Sequence, residues 1–232
     1  YQAEGLAAGD LVTIGLPNSV EFYMVCIALW KIGATPQPVS YRLPKGELKQ
    51  LVELYSPKLV IGLDSEVTGG LHSLPAGFEP GPAFSSEALP DIVSVNWKAM
   101  TSGGSTGRPK LIVSHARGEI DLDVSSEFGL LHSDVHLIGG PLYHNGPFLF
   151  SAEGLFRGQR LVVMPRFDAA ECLRLIAEHR VTWMFSVPTI LQRIWRLGEE
   201  ARAAADLNSL RIVVHSASPC PAWLKDAWIG WI

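Results

Sequence analysis

Ser102-Gly103-Gly104-Ser105-Thr106-Gly107-Arg108-Pro109-Lys110 runs directly into the apolar stretch Leu111-Ile112-Val113, and the residues after the glycines decide which fold they belong to. Glycine lets a backbone approach an anion closely and take up positive φ, so that successive N–H groups can converge on a phosphate. The hydroxyls of Ser102, Ser105 and Thr106 add donors, and Lys110 can carry a point charge to the outer phosphates of a nucleotide. A plain Gly/Ser surface turn has the same composition, so the flanks must arbitrate. A P-loop needs Gly-Lys followed by Ser or Thr and then a helix; here Arg108 and Pro109 separate Gly107 from Lys110 and a strand comes next. The dinucleotide pattern G-x-G-x-x-G cannot be placed on these glycines. Gly103 to Gly107 does match G-x-S-x-G, the hydrolase nucleophile elbow, with Ser105 as nucleophile and Asp168 or Asp206 with His215 as later partners. That elbow requires a helix directly after the serine, which Pro109 and the apolar run oppose.

Outward from this stretch, short apolar runs alternate with longer segments of helical period, which predicts βαβ units and a mostly parallel sheet. Leu11 to Gly15 reads as the first buried strand. Asn18 with Glu21 predicts a helix N-terminus, the apolar face continues through Phe22, Val25, Cys26, Leu29 and Trp30, and Gly33 ends it. A second helix is expected from Pro44 to Tyr55 and a strand from Lys58 to Leu63. The Gly/Pro/Ser-rich stretch from Asp64 to Leu89 reads as loop, and 64–92 as a subdomain seam. Further strands are expected at Leu111–Val113, Val135–Ile138, Arg160–Met164, Val181–Phe185 and Arg211–Val214. One helix is capped by Asp168 with Glu171, another is entered at Pro188, and His115 reads as lying at a helix start.

The 232 residues carry a net charge of −4 and 47% hydrophobic residues, enough for a sizeable core and without the basic footprint that nucleic acid attracts. Cys26, Cys172 and Cys220 are odd in number, far apart and without C-x-x-C spacing, which argues against a disulfide framework or zinc knuckle and suits a reducing, cytoplasmic location. No run reaches the ~18 apolar residues of a membrane span. His132, Asp134 and His136 alternate as strand neighbours, but a fourth metal ligand is not evident and a polar strand end explains them; no metal site is assigned. Trp223, Leu224, Ala227, Trp228 and Trp231 share one helical face that lacks the flanking lysines of an interfacial helix, so it reads as core.

Aligned from its lysine, the stretch from Ser102 to Lys110 resembles the T-S-G-S/T-T-G-x-P-K phosphate motif of the AMP-forming adenylating enzymes, with Gly103 where serine is common. Three further segments come in the family's order. Lys31-Ile32-Gly33-Ala34 through Pro38-Val39 resembles K-x-G-A-x-x-x-P-V/L. Pro141-Leu142-Tyr143-His144-Asn145-Gly146 resembles P-L-F/Y-H-x-x-G, and Ser216-Ala217-Ser218-Pro219 resembles the G-G/A-A-P turn. The run from His215 to Pro221 leans toward acyl-CoA synthetases. The resemblance implies an α/β fold of layered, mostly parallel sheets flanked by helices, as in the large N-terminal domain of those enzymes.

It also implies an ATP-dependent acid–CoA ligase that makes an acyl-adenylate from a hydrophobic carboxylic acid, a fatty, aryl or sterol side-chain acid, and then an acyl-CoA. ATP, Mg²⁺ and CoA are the implied cofactor and co-substrates. Ser102, Gly103, Gly104, Ser105, Thr106, Gly107 and Lys110 would cradle phosphate, and Ser216, Ala217, Ser218 and Pro219 would pack against adenine. Tyr143, His144, Asn145 and Gly146 would border the acyl pocket, with His144 and Lys110 in catalytic roles. The family's Mg²⁺-binding glutamate, ribose-binding aspartate and mobile lysine-bearing domain are not found in these residues. The expectation is therefore a partial N-terminal domain, inactive by itself and prone to pair through uncovered apolar surface as a homodimer. A noncatalytic nucleotide-binding or scaffold remnant is the other reading, with the Ser105 hydrolase behind it.

Overall fold

A computed structural model describes residues 1–232 except 82, 83, 86 and 103–108. The chain forms two units, Tyr1–Glu119 and Ile120–Ile232. The stretch 64–92 lies inside the first.

In the first unit, β1 (Leu11–Ile14) is flanked by β2 (Thr35–Pro38) and β3 (Leu59–Ile61), with β4 (Ser73–Leu74) beyond β3, all parallel. Helix α1 (Val20–Lys31) connects β1 to β2 and buries Phe22, Val25, Cys26, Leu29 and Trp30, the apolar face read from the sequence. Its cap is Ser19 rather than Asn18: Ser19 has the extended φ of −162°, and its hydroxyl accepts from the Phe22 N–H at 3.1 Å. Asn18 is instead drawn into the interior, 8% exposed. At the other end Gly33 adopts φ +75°, and a Cβ there would come within 2.9 Å of Ala8 Cβ and 2.8 Å of Ile92.

Helix α2 (Lys45–Tyr55) starts after Pro44 as expected and ends on Ser56 in the left-handed region. Leu48 and Val52 pack with Val39, Val60 and Val67. Two elements correct the loop expected from Asp64 to Leu89: the single turn α3 (Ser65–Thr68) and strand β4. Strand β2 is also new. Its sequence, Thr-Pro-Gln-Pro, carries two prolines, which only an edge position without a full set of ladder donors accommodates. Gln37 in β2 accepts from the Thr13 hydroxyl at 2.7 Å, a buried polar pair across β1 and β2.

A separate antiparallel pair joins β5 (Ala99–Ser102) to β6 (Lys110–Val113), with Ser102 opposite Lys110. Lys110–Val113 is the strand the apolar run predicted, whereas β5 was not foreseen. No helix begins at His115; among the described residues the chain from 114 to 134 has no helix or strand.

The second unit holds one parallel sheet of order β10-β9-β7-β8, formed by β7 (Val135–Ile138), β8 (Arg160–Val163), β9 (Trp183–Ser186) and β10 (Ile212–His215). Every one of these strands was expected to within two residues. The connections are α4 (Asn145–Phe156), α5 (Ala169–His179), then α6 (Pro188–Trp195) and α7 (Glu199–Ala204), with α8 (Ala222–Ile229) after β10. Asp168 caps α5 as read, accepting from Glu171 N–H at 2.9 Å. In α8, Leu224 and Trp228 are buried, and the Trp228 indole donates to Leu191 O at 3.2 Å. Trp223 departs from the expected core face and is 50% exposed.

At the amino ends of this sheet one carboxylate ties four strands together. Asp134, 3% exposed, precedes β7; its Oδ1 accepts from the Thr182 hydroxyl before β9 at 2.7 Å. Its Oδ2 accepts from the Leu131 N–H at 2.7 Å and from Arg211, before β10, at 2.6 Å, while Gln159, before β8, approaches at 3.5 Å. Removing a buried ion-pair partner leaves its donors unmatched, at about 3 kcal/mol. Asp134→Ala should therefore lower the melting temperature by roughly 6–12 °C, at about 2–4 °C per kcal/mol for a chain of this size; a shift under about 2 °C by calorimetry would refute the clasp.

Candidate functional site

The resemblance motifs fall on both units, and each unit presents its own part. In the first, the strands flanking the glycine stretch put Ser102 and Lys110 in cross-strand register. Lys110 is exposed and Ser102 half-buried. Gly103, Gly104, Ser105, Thr106 and Gly107 lie outside the described residues. The strand at Lys110–Val113 occupies positions where the hydrolase elbow would need the body of its helix, and Ser105 itself lies outside the described residues.

In the second unit the motifs sit at a topological switch point. After β7 the chain leaves through α4 toward β8, and after β9 it leaves through α6 and α7 toward β10 on the opposite side. Ligands of open α/β sheets bind outside the carboxyl ends of strands where connections diverge in this way. The segment Gly139–His144 comes after β7, and Ser216–Pro219 after β10. Because the strands are parallel, Tyr143, His144, Asn145 and Gly146 share an end of the sheet with Ser216, Ala217, Ser218 and Pro219. Ser186, at the end of the intervening β9, accepts from the Ser216 N–H at 3.4 Å.

His144 is the N-cap residue of α4, with φ −97° and ψ 144°. Its ring is exposed and lies against Tyr143, centroids 4.7 Å apart. Partial desolvation lowers its pKa from the ordinary imidazole value, which favours the neutral ring at pH 7. Gly146, in the first turn, is pressed against β9: a Cβ there would fall 2.5 Å from Phe185 Cζ. Phe185 stacks on Phe150 at 4.9 Å, and Phe150 meets Trp183 at 5.4 Å, so an aromatic floor underlies this turn. Ala217 has φ +72°, an unusual conformation for a residue with a Cβ, and its neighbours Ser216 and Ser218 are exposed. Strained turns of this kind concentrate at binding sites.

Two polar residues were not assigned from sequence. Lys98 is 7% exposed, its Nζ lies 3.9 Å from the Trp97 ring centroid, and burial pushes its pKa down to about 8. A charge inside the apolar run Trp97–Met100 was the available signal. His136 sits fully buried in β7, edge-on to Trp183 at 4.4 Å. Burial drives its pKa down to about 3, which Gln159 and Asp134 only partly offset. Its neighbour in the sequence pattern, His132, contacts Arg157 O at 2.7 Å. Among the described residues no group of three or more His, Cys, Asp or Glu side chains is arranged to hold a metal ion.

The chain belongs to the AMP-binding enzyme family, which matches residues 2–231. It is similar to pyochelin synthase PchD of Pseudomonas aeruginosa (strain UCBPP-PA14), 31% identical over 240 residues, covering 90% of this chain and 43% of that protein. Feruloyl-CoA synthase of an Amycolatopsis species is 27% identical over 243 residues, covering 98% of this chain and 48% of its own length. Among solved structures, ATP-bound MatB from Rhodopseudomonas palustris superposes with a TM-score of 0.78 at 22% identity, over 99% of this chain and 49% of that one, a likeness of fold. The chain spans about half the length of the curated relatives it matches. Among the described residues no helix is long and apolar enough to cross a membrane.

Both histidine shifts have measurable consequences. His144 should titrate below the ordinary value of about 6.5 in histidine NMR spectra. For His136 the folded pKa is depressed, so between about 6.5 and 3 the unfolded chain binds a proton that the folded chain does not. Stability is then lost as pH falls through that window, by up to about 1.4 kcal/mol per unit from this group. Denaturant titrations should show this slope flattened in His136→Gln; an identical slope would refute the assignment.

Proposed function

We propose that these residues form the nucleotide- and acid-binding part of an ATP-dependent acid–CoA ligase acting on a hydrophobic carboxylic acid. The observation that carries the reading is the convergence of Tyr143–Gly146 and Ser216–Pro219 on the carboxyl end of one parallel sheet, in a chain of the AMP-binding enzyme family. In the first step a substrate carboxylate oxygen attacks the α-phosphorus of ATP, the bond to pyrophosphate breaks, and an acyl-adenylate forms. In the second the CoA sulfur, losing its proton, attacks the acyl carbon and AMP leaves.

Both reactants of the first step are anions, so charge must be spread from the triphosphate and the carboxylate must be held without added negative charge. Lys110 and the hydroxyl of Ser102 suit the first task. A neutral His144 suits the second: it can donate one hydrogen bond to a carboxylate and so orient it without neutralising the nucleophile. The exposed hydroxyls and left-handed turn of Ser216–Ser218 suit the polar edge of a base. The aromatic floor of Phe150 and Phe185 supports the turn that carries His144 and suits an apolar acid. Mg²⁺ would arrive with the triphosphate and neutralise its charge; the described residues supply no acidic cluster for it. Because the chain spans about half the length of the relatives it matches, the 232 residues alone are proposed to be inactive. The cytoplasm is the proposed location, and a homodimer the proposed assembly.

The test is pyrophosphate exchange with the gene's full-length product. Lys110→Ala and His144→Ala should each reduce acyl-AMP formation by about a hundredfold, the effect of misplacing a reacting group. Acyl-AMP yields equal to wild type in both variants would favour a noncatalytic remnant.

A further inference from the structure

The second sheet ends in an open edge. Strand β8 pairs with β7 and with no other described strand. The Arg160 N–H donates to Asp134 O at 3.3 Å and the Met164 N–H to Ile138 O at 3.1 Å. The two-residue period of a parallel ladder then turns the intervening Leu161 and Val163 outward, each presenting one N–H and one C=O away from the sheet. Such an edge is a template for a further strand.

This edge opens onto a groove of about 430 Å³ between β8 and the face of α5 that carries Leu175 and His179. Its charge is local and specific. The chain as a whole is acidic, at −4, yet Arg160, which opens β8 and whose guanidinium donates to His179 O, and Arg166, three residues past the end of the strand, both line the groove. Arg166 is exposed and has no ion-pair partner among the described residues. The carboxylate on the groove wall, Glu171, is held by Arg174 through contacts of 2.6 and 2.7 Å, and Arg174 also pairs with Glu178, so Arg160 and Arg166 are the cations of the groove without a carboxylate partner among the described residues. A second β8 brought to this edge would set arginine near arginine, so charge favours a different occupant.

We propose that the open edge of β8 is a docking site for an extended acidic segment of a partner protein, which adds a fifth strand to the sheet. Backbone hydrogen bonds to Leu161 and Val163 would supply affinity, and carboxylates facing Arg160 and Arg166 would supply selectivity. This surface is formed by residues that the proposed ligase reaction does not use.

The probe is a labelled, end-blocked eight-residue peptide alternating valine and glutamate, with the valine–lysine peptide as its counterpart, read by fluorescence anisotropy on the gene's full-length product. Val163→Pro removes one outward N–H while leaving the ladder to β7 in place, the one setting in which a strand tolerates proline. It should weaken binding of the glutamate peptide at least tenfold. Arg166→Glu, an exposed change, should weaken it several-fold at low salt and less at high salt; this variant keeps the test decisive if Val163→Pro fails to fold. The proposal is overturned if both folded variants bind the peptide as wild type does, if the lysine peptide binds equally well, or if sedimentation shows a dimer that Val163→Pro dissolves.

Discussion

The carboxylate of Asp134 fixes the second unit, because four parallel strands begin around one buried charge. Thr182, Arg211, Gln159 and the Leu131 backbone all turn their donors toward it, and each belongs to the entry of a different strand or to the turn before β7. A carboxylate only 3% exposed must be matched by hydrogen-bond donors to be held in the interior. Aligning the amino ends in this way aligns the carboxyl ends as well. The turns that carry His144 and Ser216 are thereby brought to the same end of the sheet, opposite the clasp.

Packing then sets the details of that end. Gly146 has no room for a Cβ beside Phe185, and Phe185 leans on Phe150, so the first turn of α4 rests on an aromatic layer rather than on water. The same layer runs through Trp183 to the buried imidazole of His136. Burial thus acts on two histidines of one segment to different extents. His136 is locked neutral inside the strand, whereas His144, at the helix entrance, keeps an exposed ring able to meet a ligand.

Much of the second unit was legible because its signals are local. Val135–Ile138 and Arg160–Val163 are short apolar runs between turn residues, and Asp168 with Glu171 marks a helix start within four positions. The misread places share a cause: their conformation is set by partners far away in sequence. Thr35–Pro38 becomes a strand because β1 offers it an edge. Ala99–Ser102 becomes one because Lys110–Val113 returns beside it. At α1 two adjacent residues could cap, and the one with the extended backbone did so while Asn18 went inward. Among the candidate site residues, the motif order identified Tyr143 to Gly146 and Ser216 to Pro219. Lys98 was not singled out, and His136 and Asp134, read as a polar strand end, are instead buried at 0% and 3% exposure, because burial is encoded by no local pattern.

By itself the sequence determined the α/β class, the family motifs and the strand after the glycines that excludes a P-loop, because each arises from residue type and spacing over a few positions. Only the tertiary structure decided which edges stay open, how Asp134 gathers the strands, and that the His144 and Ser216 turns face the same way. Those outcomes depend on parallel pairing between segments tens of residues apart, and the free energy that selects them comes from burial and hydrogen bonding formed only when the segments meet.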